Sequence, residues 1–118
     1  MCFFERNDLL LWVNLEGYSQ RLMFRLELTL DKKEYEDYFT IERVVEGGEG
    51  TETLFIIPFK TVRSLTYLKS SDDVYTICLD VPDGDPRLKH IQVRRHCFNY
   101  FSFRKMVKLL EKSKAASY

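Results

Sequence analysis

Residues 94–110, "RRHCFNYFSFRKMVKLL", hold the side chains of this chain best equipped for chemistry. His96 and Cys97 are adjacent, and His90 lies a short way upstream. Zinc favours ligands paired as C-x-x-C or H-x₃₋₅-H. Neighbouring residues on a strand point to opposite faces, so His96 and Cys97 converge on one metal only if the chain bends between them. The spacing therefore argues against a metal centre, and His96 is expected half-exposed with Cys97 buried. A Cys–His catalytic pair needs thiolate and imidazole within hydrogen-bond reach. Cys78 or Cys97 could meet His90 or His96 across strands, but nothing in the sequence singles out one pairing, and a free cysteine commonly serves as a small buried hydrophobe. The chain has no G-x-S-x-G, P-loop or H-E-x-x-H pattern. We expect no catalytic residues, no metal and no cofactor.

The same stretch interleaves arginines with aromatics, as a base-stacking platform for nucleic acid does. Phe98, Tyr100, Phe101 and Phe103 instead fall where a strand turns into a helix, and aromatics at such corners close a core. The formal net charge of the 118 residues is zero, which removes bulk attraction to polyanions. Charge is segregated along the chain, however. Acids dominate residues 31–52, including Glu34, Glu36, Asp37 and Glu42, and this stretch is expected to be solvated. Bases dominate from residue 87 onward, including Arg94, Arg95, Arg104, Lys105 and Lys108. Two oppositely charged docking faces are one reading of that pattern, and two solvated surfaces are the other.

Apolar residues make up 45% of the chain and charged residues 31%, which suits a folded domain. No apolar run approaches the roughly 20 residues that span a bilayer. Cys2, Cys78 and Cys97 are too few and odd in number for a disulfide framework, which points to the cytosol or nucleus. There is no repeat, low-complexity tract or linker, so residues 1–118 are expected to form one domain.

The elements that must position these groups are mostly strands. "LMFRLELTL" alternates Leu22, Phe24, Leu26, Leu28 and Leu30 with polar residues over nine positions, the period of a half-buried strand. "DLLLWVNL" precedes it as a hairpin partner, with "EGYSQ" as the turn. "YEDYFTIERVV" is a third strand, and "EGGEG" makes a hairpin tip. "TETLFIIPFKTVRSL" is extended but should break at Pro58, which cannot donate to a ladder. A strand is therefore expected before Pro58 and another over 62–68. "VYTICLDV" and "LKHIQVRR" complete seven, with Ile77, Leu79, Ile91 and Val93 inward. Phe103, Met106, Val107 and Leu110 then form one helical stripe, giving a helix over about 102–114 capped by Ser102 or Asn99.

About seven antiparallel strands followed by one amphipathic helix make a mainly β fold, either two packed sheets or a partly closed barrel with the helix over its open end. This order, with "FIIPFKTVRSLTYL", "VYTICLDV" and "HIQVR" as its middle strands, resembles the pleckstrin-homology-like superfamily of PH, PTB, EVH1, GRAM and histone-chaperone modules. The resemblance is one of architecture across nearly the whole chain. It departs from many PH domains in lacking a helix tryptophan, since the single tryptophan, Trp12, lies in the first strand.

The resemblance implies a non-catalytic protein-interaction module of the kind found as one domain of a larger scaffold or chaperone-like protein, with a protein or peptide partner. Members of PTB and EVH1 type bind peptides beside the terminal helix by adding a strand to a sheet edge. Phosphoinositide binding is the alternative it implies, through basic residues of the first hairpin. That hairpin offers only Arg21 and Arg25 beside Glu16, so specific lipid binding is not expected. A histone- or nucleic-acid-associated role is a further alternative. The head domains of DNA-repair and centriole scaffold proteins offer a competing all-β comparison.

Overall fold

The computed structural model describes residues 9–27 and 37–116. Among the described residues seven strands, all antiparallel, form two sheets that do not close into a barrel, and one α-helix follows them. The first sheet is a meander of β1 (Leu10–Val13), β2 (Leu22–Glu27), β3 (Tyr38–Val44) and β4 (Thr51–Pro58) in that order. The second contains β5 (Ser64–Lys69), β6 (Val74–Asp80) and β7 (Ile91–Arg94). Helix α1 spans Tyr100–Ala116.

Strict alternation gives the first sheet its buried face. Leu22, Phe24 and Leu26 point inward from β2, opposite Leu11 and Val13 on β1 and Phe39 and Ile41 on β3. Phe24 and Phe39 stack with centroids 5.2 Å apart, and Phe39 meets Phe59 at 4.8 Å. Leu28 and Leu30, expected to continue β2, lie outside the described residues. Gly17 takes φ +92° in the turn between β1 and β2, a conformation glycine adopts without steric cost.

The chain does break at Pro58. Phe59–Thr61 form a short 3₁₀ turn, and Phe59 and Val62 plug the core between the two sheets. Val62 therefore belongs to the connection, and β5 starts two residues later than expected. Leu88 and Lys89, expected to begin the last strand, instead end a second 3₁₀ turn, Pro86–Lys89, capped by the Asp85 carboxylate with Pro86 at its first position. Ile91 and Val93 alone point inward from β7, both fully buried.

On the second sheet Leu65, Ile77 and Leu79 complete the core, and α1 closes it with Phe103, Met106 and Leu110. Val107 packs at the margin and is only half-buried. The helix begins at Tyr100 because Asn99 supplies its cap: Asn99 Oδ1 accepts from the Ser102 amide at 3.1 Å. Ser102 itself is buried in the first turn.

One side of the molecule joins the sheets. Asn14, just past β1, exchanges two backbone bonds with Gln92 of β7, at 2.6 and 2.9 Å. On the other side β4 and β5 are both outer strands.

Candidate functional site

The β5 edge is the first place where the fold leaves backbone groups available. Ser70 donates to the Val74 carbonyl, and Arg95 donates to the Asp73 carbonyl. These two bonds fix the phase of both ladders: even-numbered residues of β5 bond to β6, so the amides and carbonyls of Leu65, Tyr67 and Lys69 face the open edge. The Arg63 carbonyl faces the same way and accepts from Lys114 Nζ at 2.8 Å.

Helix α1 lies along this edge in the opposite direction. Its last turn reaches Arg63 through Lys114, and its first turn meets Tyr67. The Tyr67 ring lies 4.9 Å from Phe98, 5.0 Å from Phe103 and 6.4 Å from Tyr100. Tyr75 stacks on Phe98 at 4.6 Å, which fixes the floor of the cluster. Its outer members are exposed: Tyr67 is 39% accessible, Tyr100 44% and Phe101 81%.

This corrects the expectation that all four aromatics of 98–103 close the core. Phe103 does so and Phe98 does so in part, whereas Tyr100 and Phe101 lie outside. Phe101 is two residues, about 200°, from Phe103 around the helix. It therefore shares a face with Arg104 and Lys108, both exposed. The Tyr100 hydroxyl accepts from Arg104 Nη1 at 3.3 Å, and Lys105 is half-buried.

The expected acidic face is only partly described, since Glu34 and Glu36 lie outside the described residues. Asp37 is half-buried, and its carbonyl accepts from the Phe59 amide. Glu42 contradicts the solvated reading of residues 31–52, because it is buried in β3 beside Thr40. Burial opposes its charged form. Hydrogen bonds from Thr51 and Thr40 and the nearby Arg25 guanidinium outweigh that cost and hold its carboxyl below the ordinary value. Arg43 pairs with Glu52 in the neighbouring rung.

The basic stretch is also partly consumed. Arg87 chelates Asp85 at 2.8 Å, and its hydrogen bonds hold that carboxyl below its ordinary range. The same guanidinium donates to the Glu16 carbonyl and covers the Tyr18 and Phe55 rings. Arg87 thus ties the first hairpin's turn to the rest of the fold. Lys89 reaches Asp80 at 3.7 Å.

Of the two arginines considered for lipid, Arg25 pairs with Glu27 at 2.9 Å and with Glu42 at 3.2 Å. Arg21 lies over the Trp12 ring, 5.0 Å from its centroid. A cavity of about 490 Å³ between the first turn and the β3–β4 tip is lined by one cation, Arg43, against Glu46 and Glu52. That charge is wrong for a phosphate.

Residues Arg95–Cys97 form a 3₁₀ turn that supplies the bend a His96–Cys97 pair would need. Even so, His96 lines an open cavity while Cys97 packs against the core near Arg21. Among the described residues no three His, Cys, Asp or Glu side chains are grouped to hold a metal, and no helix is long and apolar enough to cross a membrane.

Comparison of the chain with protein-family models, with curated proteins and with solved structures finds no match in any of the three.

Proposed function

We propose that this chain is a non-catalytic interaction module that takes an extended segment of a partner protein along β5, beside α1. The observation that carries this reading is the β5 edge: three residues with outward amides and carbonyls, next to the exposed rings of Tyr67, Tyr100 and Phe101. An added strand would gain main-chain hydrogen bonds from the edge and bury alternate side chains against the rings. Arg104 and Lys108 flank the groove and favour an acidic residue in the ligand. The four-plus-three strand arrangement with a terminal helix supports assignment to the pleckstrin-homology-like superfamily, whose PTB branch binds peptides at this position. Free Cys78 and Cys97 support a reducing setting, cytosol or nucleus. The engaged Arg25 and the acidic lining of the cavity beside the first turn make phosphoinositide binding through the first hairpin a poorer reading.

A peptide library displayed on phage and selected on the whole domain tests the proposal. Lys69→Pro removes one outward N–H and no β5–β6 bond, so it should leave the fold intact and weaken selected peptides about tenfold. Phe101→Ala should weaken them as well. Peptides that bind both variants as tightly as the parent would place the ligand elsewhere.

A further inference from the structure

We infer that the cleft where β1 and β7 part is a binding site for the phosphate group of a small soluble phosphomonoester. After the Asn14–Gln92 bridge the next rung would pair Trp12 with Arg94, and that rung does not form. The strands separate there and leave a cavity of about 820 Å³, within the size range of small-molecule sites. It is lined by Asn14, Gln92, Asp73, Arg94, Arg95 and His96.

Three observations make this an anion site. The first is charge: two arginines line the cavity against one carboxylate, Asp73, with the His96 imidazole beside them. The second is that these side chains are uncommitted among the described residues. Arg21, Arg25, Arg43, Arg63, Arg87 and Arg104 each have a ring, carboxylate or hydroxyl partner. Arg94, Arg95 and His96 have no such side-chain partner among the described residues. The third is backbone geometry. Consecutive strand residues point apart, but the chain turns from β7 into the 3₁₀ turn at Arg95, and Arg94 and Arg95 both line the same cavity. The Arg94 amide, on the side of β7 facing away from β6, adds a main-chain donor.

Guanidinium forks match phosphate oxygens in pairs, and the side-chain amides of Asn14 and Gln92 can donate to the rest of the ligand. The volume exceeds what a bare phosphate fills, which is why a phosphomonoester on a compact polar body is the ligand class. This site shares no lining residue with the β5 groove, so the two readings stand or fall separately.

Titration of the whole chain with O-phosphoserine and with glycerol 2-phosphate, followed by calorimetry and by amide shifts of residues 92–97, is the test. Binding should weaken about tenfold in Arg94→Gln and in Arg95→Gln, the loss expected for one charge-assisted hydrogen bond. It should be unchanged in Lys108→Gln, and all three variants should melt with the parent because these side chains are exposed. Serine and glycerol should not bind. No saturable binding of either phosphomonoester overturns the proposal, as does an equal loss in Lys108→Gln. Capture by vesicles of phosphatidic acid in phosphatidylcholine, with no binding of the soluble esters, would assign the site to a lipid headgroup and refute the soluble ligand.

Discussion

Replacing Glu42 by glutamine perturbs the one buried carboxylate among the described residues while keeping its shape. Thr51 donates to one carboxylate oxygen at 2.6 Å, and Thr40 and Arg25 donate to the other at 2.8 and 3.2 Å. Glutamine keeps one acceptor and presents an NH₂ where the other oxygen stood. The threonine hydroxyls can rotate to accept, but Arg25 cannot. A hydrogen bond to a charged group contributes about 1.5–3 kcal/mol, and stranding a buried charge costs more. Because Arg25 retains Glu27 as a partner, we expect Glu42→Gln to cost about 2–4 kcal/mol at neutral pH, between those limits. That is roughly 8–16 °C in melting temperature for a domain of this size.

The pH dependence gives the sharper test. Glu42 titrates below its ordinary 4.5 in the folded state. Its contribution to stability is therefore complete above 4.5 and is lost as pH falls through the folded value. Urea denaturation of parent and variant should show the full gap at neutral pH and a narrowing gap in acid, where the parent's carboxyl is protonated and resembles the amide. A gap that is absent at neutral pH, or undiminished in acid, would show that the ionised network does not stabilise the fold.

Met106→Ala and Leu110→Ala should each cost about 2–5 kcal/mol, measured by denaturant titration, because both side chains are buried under the sheets, while Lys108→Ala should cost nothing measurable. Asn99→Ala should lose about 1 kcal/mol and fray the first turn, seen as faster amide exchange at Ser102.

How much of this was legible varies with the kind of information needed. β2 was readable because Leu22, Phe24 and Leu26 alternate without a break, and alternation is the direct imprint of a one-sided strand. The stop at Pro58 and the Phe103–Met106–Leu110 stripe were readable for the same reason: residue type alone carries the geometry. Glu42 was not. Its acidic neighbours suggested a solvated run, and only the β2–β3 register, which sets Arg25 opposite Thr40, shows that a carboxylate there has donors waiting. Phe101 was legible in principle. Counting around the helix from Phe103 puts it with Arg104 and Lys108, and the aromatic clustering hid that angle.

The candidate sites share a feature that no residue type encodes. Each lies where a ladder stops, at the outer edge of β5 and at the missing rung after Asn14 and Gln92. A ladder's end is a property of pairing, and pairing depends on residues far apart in sequence. Counting bases from residue 87 onward suggests one broad cationic face. In the fold Arg87 and Lys89 are committed to Asp85 and Asp80. Of the exposed cations that pair with no carboxylate among the described residues, Arg94 and Arg95 lie at the β1–β7 cleft, and Arg104 and Lys108 lie beside the β5 groove. Reversing charge at Arg104 and Lys108 should therefore slow capture of an acidic peptide without altering phosphomonoester binding. Arg94 and Arg95 variants should do the opposite. A single continuous basic face would couple the two effects, and the division of these four residues between two ladder ends is the physical reason to expect none.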